Sequence, residues 1–349
     1  MVSQMPLEQK NNSRDFIFKG NAKEWFGIWI VNLLLSIVTI GIYSAWAKVR
    51  TKKYFYGNTF VDGRNFDYHA TGGQILKGRL IIIAVIIVFQ IILTILPVVG
   101  LFLFLGLILL FPWLITRAMV FNARMSSFSN VRFDFVGTYG RAALVYLLYP
   151  ILSALTLYIT FPILDRTVKC FTIDNLRFGT AEFKVDAPLG AFYKAAVIAL
   201  LWVMVVVAAA YLTIASAIIA SPEDNPMAVM LTVYAVFFIG LIPAGFIYQA
   251  LTRNIIYNST TLLGGHALRS NVSATQLFWI ALSNMLVVVL TLGLMLPWAQ
   301  VRVARYLSDH TGVVIGSSLD DFIGTEQEKA TALGDAYSDI EGIDVGLPI

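Results

Sequence analysis

The sequence contains the run Trp46-Ala47-Lys48-Val49-Arg50 at the end of its first long apolar stretch. The related run Trp298-Ala299-Gln300-Val301-Arg302 ends the last such stretch, 252 positions later. The same shift pairs Asn32 with Asn284, Gly41 with Gly293, Tyr54 with Tyr306 and Thr59 with Thr311. So many coincidences at a single offset indicate an internal repeat. We therefore predict a chain built from copies of one unit.

Seven long apolar segments predict that this repeat-built chain lies in a membrane. The 349 residues are 58% hydrophobic and 13% charged, whereas soluble domains average about 25% charged residues. A transmembrane helix needs about 20 mostly apolar residues. The qualifying segments are 25–47, 77–97, 99–121, 142–164, 193–220, 227–251 and 276–299. These segments predict a polytopic α-helical membrane protein.

The distribution of charge divides the chain into three regions. A polar N-terminal segment with a short strand covers 1–23, a repeat-built membrane domain covers 24–319, and an acidic tail covers 320–349. The tail is non-periodic and charged, so we expect it to be disordered. The membrane domain has 20 Lys/Arg against 11 Asp/Glu. This basic excess lies in loops, where it sets topology and meets anionic lipid head groups, and we expect no nucleic-acid partner.

The longer connections between segments share a pattern that predicts β-hairpins. Asp62-Gly63 is a two-residue turn signal between alternating residues. The triplet Phe66-Asp67-Tyr68 that follows resembles Phe133-Asp134-Phe135 and Phe183-Lys184-Val185 in later connections. Isolated hairpins expose strand edges, but five of them pairing edge to edge would cover those edges. We therefore predict a small β-layer or barrel that caps the helices on the cytoplasmic side.

The hairpins can share one side only if some segments do not cross the membrane. Segments one, four and seven contain helix breakers in their second halves, namely Gly41, Pro150, Pro162, Gly293 and Pro297. They could be broken or re-entrant, entering and leaving on one face. The alternative is seven full crossings with an inverted repeat, as in some transporters. Basic residues in every long connection favour the broken segments, with both termini in the cytoplasm.

One run of sequence resembles a known family. Gly41-Ile42-Tyr43-Ser44-Ala45-Trp46-Ala47-Lys48-Val49-Arg50, followed by Tyr54-Phe55-Tyr56-Gly57-Asn58-Thr59, looks like the signature of the YjgN family. The run 297–306 resembles the second recurring block of that family. The resemblance implies a bacterial inner-membrane protein of the Gram-negative type, and it implies no substrate, cofactor or catalytic residue.

Four residues are candidates for the lining of a cavity or pore. Asn32 and Asn284 lie at equivalent depths inside apolar segments, and Gly41 and Gly293 follow them at equivalent breaks. The asparagines could instead form interhelical hydrogen bonds, and the glycines could simply mark bends. The sequence leaves both interpretations open.

A second set of residues forms a motif at the membrane interface. Tryptophans there are typical of an aromatic belt, although they could also wall a gate. The arginines could set topology and bind lipid phosphates, or ring a pseudo-symmetric axis and select an anion. The motif residues are Trp46, Arg50, Tyr54, Asn58, Thr59, Trp298, Arg302, Tyr306 and Thr311, and Arg117, Arg166 and Arg253 are further copies of the arginine.

The sequence favours functions that involve no catalysis. No metal-ligand spacing, Walker loop or GxSxG motif occurs, so we expect no enzyme, no metal and no cofactor. Our first hypothesis is a transport or channel-like protein for a small solute, with a pseudo-symmetric cavity. The alternative is a non-catalytic scaffold or lipid-organising protein, whose cytoplasmic β-layer binds a partner that the sequence does not identify.

Overall fold

A computed structural model describes residues 13–220 and 226–329. The helices are α1 (Ala22–Val38), α2 (Ser44–Gly57), α3 (Gly72–Ile95), α4 (Pro97–Arg124), α5 (Tyr139–Leu155), α6 (Phe161–Asp174), α7 (Leu189–Ala220), α8, α9 (Ala274–Leu290), α10 (Leu296–Asp309) and α11 (319–329). Helix α8 comprises Pro226–Ala235 and Ile242–Asn258, joined by the π-helical turn Val236–Leu241. A second π-helical turn, Leu144–Leu148, lies within α5.

Ten short strands form a closed antiparallel barrel. The strands are β1 (Ser13–Phe18), β2 (Thr59–Val61), β3 (Arg64–Tyr68), β4 (Ser126–Phe128), β5 (Val131–Phe135), β6 (Leu176–Phe178), β7 (Ala181–Val185), β8 (Thr260–Leu262), β9 (His266–Ser270) and β10 (Thr311–Val314). Neighbours in the barrel follow the chain, and β1 closes it by pairing with both β2 and β10. Closure leaves no strand edge exposed, and it confirms a β-layer of the predicted kind.

Alternation along the strands separates an apolar interior from a charged exterior. Phe66 faces the barrel interior, whereas the next residue, Asp67, is exposed. Successive side chains of a strand point to opposite faces, which accounts for this pattern. On the exterior, ion pairs link neighbouring elements, as between Arg14 Nε and Asp62 Oδ1 at 2.9 Å, and between Arg124 and Asp134 at 2.8 Å.

Segments one, four and seven are each interrupted by a turn. Segment one breaks at 39–43 between α1 and α2, segment four at 156–160 between α5 and α6, and segment seven at 291–295 between α9 and α10. Gly41 and Gly293 adopt positive φ values of 86° and 89° in the first and last turns. An L-residue is strained in this region, so glycine suits both breaks. Each interrupted segment is therefore a pair of short helices.

The other four segments are long helices. Helices α3 and α4 and the part of α7 over Leu189–Thr213 are long and apolar enough to cross a membrane. At 1.5 Å per residue, the 24 residues of α3 extend about 36 Å, which exceeds a hydrocarbon core of about 30 Å. Segment six lies in α8. The connection between α7 and α8, with its two acidic residues, lies outside the described residues.

The prediction of a disordered tail from residue 320 is wrong for its first ten residues. Residues 319–329 form helix α11, and the Ile323 and Glu326 side chains are buried against the barrel. An apolar face on Leu319, Phe322 and Ile323 offsets the ordering entropy of this short segment. The rest of the tail, 330–349, and the first residues, 1–12, lie outside the described residues.

Candidate functional site

The barrel contains an apolar chamber of about 760 Å³. Every strand contributes at least one lining side chain, and nine phenylalanines are among the lining residues. Ring centroids lie 4.8 Å apart between Phe66 and Phe128 and 5.3 Å apart between Phe133 and Phe178. Such spacing is typical of aromatic pairs that pack favourably. The nine phenylalanines are Phe16, Phe55, Phe66, Phe128, Phe133, Phe135, Phe178, Phe183 and Phe322.

Helical residues line the chamber at both ends. At one end lie residues from the last turns of the helices that lead into strands, such as Met119, Thr172 and Ser308. At the other end, where the hairpins turn, α11 inserts Phe322 and Ile323. The chamber therefore lies between the last turns of the helices that lead into strands and a helix of the C-terminal tail.

The polar groups of the chamber are few and carry no formal charge among the lining residues that the structure describes. His266 is 1% exposed, its Nδ1 has no hydrogen-bond partner among those residues, and burial lowers its pKa, so the ring is neutral near pH 7. The Asn122 Oδ1 accepts a hydrogen bond from Lys52 Nζ at 2.7 Å, just behind the wall. Burial, and then Lys48, lowers the pKa of Lys52. This interior suits an apolar molecule with at most a small polar group.

Helix α11 is attached to the barrel through one buried carboxylate. The Glu326 Oε2 accepts hydrogen bonds from the Thr180 backbone N–H at 2.6 Å and from the Thr180 hydroxyl at 2.8 Å, in the turn between β6 and β7. Lys329 Nζ donates to Glu326 Oε1 at 2.9 Å. Burial alone raises the pKa of this carboxyl, but the hydrogen bonds from Lys329 and Thr180 outweigh it and hold the pKa below its usual value.

The four residues predicted to line a cavity lie elsewhere. None of Asn32, Asn284, Gly41 and Gly293 is on the wall of the barrel chamber. Asn284 is buried and accepts a hydrogen bond from Arg302 Nη1 at 3.1 Å. Asn32 is equally buried, and neither its Oδ1 nor its Nδ2 has a partner among the described residues. Whether these residues line a path through the membrane stays a prediction.

Two predicted tyrosines occupy equivalent positions and make the same contacts. The Tyr54 hydroxyl, on α2, accepts from the Asn21 N–H at 3.0 Å and donates to the Asn21 carbonyl at 2.9 Å. The Tyr306 hydroxyl, on α10, makes the same pair with Ser273 at 2.8 and 3.1 Å. Asn21 and Ser273 are the N-caps of α1 and α9. Each tyrosine thus holds together the two helices of an interrupted segment.

Other motif residues complete the joints between helices and strands. The Asn58 amide donates to the Tyr54 carbonyl at 2.9 Å, which satisfies a carbonyl at the end of α2. The Thr59 and Thr311 hydroxyls likewise donate to the carbonyls four residues earlier, at 2.8 and 2.6 Å. The sequence identified these residues, and the structure shows them as caps that lead each helix into its strand.

The tryptophans lie on the second helices of interrupted segments. Trp46 is exposed and its ring stacks on Tyr43, and Trp298 is half-buried with Arg302 5.2 Å from its centroid. Neither lies on the chamber wall. A role of these tryptophans in an aromatic belt at the membrane interface, or in the wall of a gate, therefore stays a prediction.

The five repeated arginines have different surroundings. Arg50 and Arg117 are exposed beside aromatic rings, Arg166 Nε donates to the Ala187 carbonyl at 2.7 Å, and Arg253 Nη2 donates to Thr311 at 2.6 Å. Arg302 bonds to Ser283 and Asn284. None lines the barrel chamber. A ring of these arginines around a common axis stays a prediction.

The sequence reasoning missed the chamber wall as a site. The apolar triplets of the hairpins predict strands, and their alternate residues are the ones that face inward. Phe322 and Ile323 were missed because the acidic charge of the tail obscured a single apolar face on α11. A helical spacing of Leu319, Phe322 and Ile323 was the available signal.

Comparison with known proteins identifies the relatives of this chain. The family described as "Bacterial protein of unknown function (DUF898)" matches residues 13–340. A protein of Salmonella typhimurium named inner membrane protein YjgN is 25% identical over 91% of this chain and 92% of its own length. Its namesakes in Escherichia coli O157:H7 and K12 are 35% and 36% identical over 38% of this chain and 34% of their own. No solved structure matches the chain.

Proposed function

Since the chain belongs to the bacterial family of unknown function DUF898, we propose a function from its own geometry: it is an inner-membrane protein that binds a lipid-like molecule in the barrel chamber and transfers it between the membrane and water. The single observation that carries this proposal is the apolar chamber of about 760 Å³ at the ends of membrane-length helices. The names of the relatives support the inner membrane as its location.

The size and the lining of the chamber both support an apolar ligand. Small-molecule sites are typically about 300–1,000 Å³ and mostly apolar, with a few polar groups that orient the ligand. Here phenylalanines form the wall, and His266, Asn122 and Ser126 are among the few polar groups. A charged solute would lose its hydration without gaining a partner. A single acyl chain or a similar hydrocarbon meets no such penalty.

Transfer is favoured over the scaffold alternative because of where the chamber lies. A scaffold needs only a close-packed interior, whereas this barrel leaves a ligand-sized space among its side chains. The space adjoins the last turns of α2, α4, α6 and α10, which lead back toward the apolar segments. The role is binding and transfer without catalysis, and the pseudo-symmetry of the chamber comes from repeated helix-plus-hairpin units. In this proposal the small solute of the transport hypothesis is a lipid-like molecule, and the cavity that holds it is the barrel chamber.

The interrupted segments support a specific arrangement in the membrane. All ten strands meet in one barrel, so the connections that carry them share one side of the helices. In our proposal α3, α4, α7 and α8 cross the membrane, and the three interrupted segments enter and leave on the barrel side. Basic residues in the long connections favour the cytoplasm for that side and for both termini. The exposed Arg50 and Arg117 then lie where anionic lipid head groups can reach them.

The proposal is tested by filling the chamber. Leu262 lines the chamber on β8, and the preceding Thr261 is exposed on the outside of the same strand. Purified protein in lipid nanodiscs is incubated with a diazirine-bearing fatty acid and irradiated, and the crosslinked peptides are mapped by mass spectrometry. We expect crosslinks on chamber-lining strands, lost in Leu262→Trp and retained in Thr261→Trp. Crosslinks confined to the lipid-facing helices, or an equal yield in both variants, would refute chamber binding.

A further inference from the structure

Helix α11 covers the end of the barrel at which the hairpins turn. Its contacts reach several separate turns. Gln327 Nε2 donates to the Ser129 carbonyl at 2.7 Å, Asp320 pairs with Arg64, and Glu326 accepts from Thr180. Its apolar side chains pack against Val61, Phe128, Val131 and Phe178 inside the barrel. The helix therefore closes the far end of the chamber without contributing a strand.

The barrel is complete without this helix. The ladder of hydrogen bonds closes between β1 and β10, so every strand has two neighbours before the chain reaches α11. Only residues 315–318 separate β10 from α11. A helix that lies outside the closed ladder can detach without breaking any pairing between strands. Segments that open locally in this way belong to the less stable parts of a fold.

The attachment depends on few polar contacts, and Glu326 makes the buried ones. Its side chain is 1% exposed, whereas the Arg64–Asp320 pair is largely exposed to solvent, with 75% of the Asp320 side chain accessible. Exposed ion pairs contribute little to stability, but hydrogen bonds to a buried carboxylate contribute more. The groups that face Glu326 are the Thr180 amide and hydroxyl and the Lys329 ammonium.

We propose that α11 is a detachable lid on the chamber, held by Glu326 at the turn between β6 and β7, and that its release opens the chamber to water at the end away from the membrane helices. This inference rests on the proposed function only for the identity of the ligand in the chamber. An apolar molecule that enters from the membrane side then has a second, gated exit. The lid regulates that exit.

The test measures access to the chamber without any ligand, so it is independent of the crosslinking result. Val313 lines the chamber on β10. Val313→Cys in a Cys170→Ser background provides one thiol, whose reaction with a charged methanethiosulfonate is followed in the full-length protein in nanodiscs. Adding Glu326→Ala should speed labelling by about tenfold or more, because hydrogen bonds to a charged group are lost. Glu328→Ala is the matched control, since Glu328 is exposed on the same helix, and it should leave the rate unchanged.

Hydrogen exchange distinguishes a lid from general unfolding. In Glu326→Ala, the amides of 319–329 should exchange faster while those of Val131–Phe135 keep their wild-type protection. Labelling at the wild-type rate would overturn the lid. Equal acceleration of exchange in α11 and in β5 would also overturn it, because the helix would then be part of the folding unit of the barrel. Faster labelling with no crosslinked fatty acid would retain the lid and reject the proposed ligand.

Discussion

Replacing Asn284 by leucine should lower stability, whereas replacing Asn32 by leucine should not. Both side chains are buried, at 5% and 6% exposure, and they are equivalent in the repeat. Asn284 accepts from Arg302 and donates its Nδ2 to the Ala299 carbonyl at 3.3 Å. Asn32 has no partner among the described residues. The extra volume of leucine affects both sites alike, so the difference between the variants reports the hydrogen bonds.

The magnitude follows from these contacts. Hydrogen bonds between membrane helices contribute about 0.6 kcal/mol on average and up to about 1.7 kcal/mol. Asn284→Leu loses two, one of them from a charged donor, so we expect a loss of about 2 kcal/mol. Asn32→Leu removes a buried amide whose lack of partners costs about 1–3 kcal/mol, so we expect no loss or a gain of about 1 kcal/mol.

Thermal unfolding of the two purified variants in one detergent measures the difference. At about 2–4 °C per kcal/mol for large domains, the midpoints should differ by about 5 °C or more, with Asn32→Leu the higher. Equal losses at both sites would refute the reasoning. They would show that Asn32 has a polar partner such as water, and would revive its predicted role in lining a path.

Two further predictions concern packing and topology. An added Cβ at Gly72 would lie 2.4 Å from the indole of Trp46, whereas one at Gly73 meets nothing within 4 Å. Gly72→Ala should therefore lower the free energy of unfolding by about 1–3 kcal/mol, and Gly73→Ala should be neutral. Thermal unfolding measures both variants, and equal effects would argue against this close approach. The second experiment introduces single cysteines at the exposed Asn65 and Lys184, in a background without the native cysteine. Both should react with an impermeant maleimide in inverted vesicles and not in intact spheroplasts. Reaction of the two cysteines from opposite sides of the membrane would contradict the prediction that the long connections share one compartment.

The predicted repeat anticipated many local features because those features depend on short-range chemistry. The tyrosine hydroxyls at 54 and 306 lie on the N-cap backbones at 21 and 273, also 252 positions apart. Gly41 and Gly293 adopt φ values of 86° and 89° at equivalent places in the first and last breaks, each after a residue with a φ of 50°. These contacts lie within one pair of helices, so equal sequences produce equal geometry.

Residues at equivalent positions, 252 apart, do not make the same contacts where a contact depends on a neighbouring side chain. Arg302 donates to the Ser283 hydroxyl at 2.6 Å, but the position that corresponds to Ser283 in the first unit is Val31, which cannot accept. Arg50 is instead exposed beside Tyr43. The two arginines that the predicted repeat places in one class therefore have different partners.

The sequence by itself indicated helices long and apolar enough to cross a membrane, the interrupted segments and the hairpins, because hydropathy, helix breakers and turn signals act over a few residues. Only the tertiary structure decided that the ten strands close into a barrel, that their inward side chains leave a chamber, and that part of the acidic tail covers it. Closure brings β1 against β10, at opposite ends of the chain. The space inside depends on how side chains from every strand fill the barrel together, which no local pattern specifies.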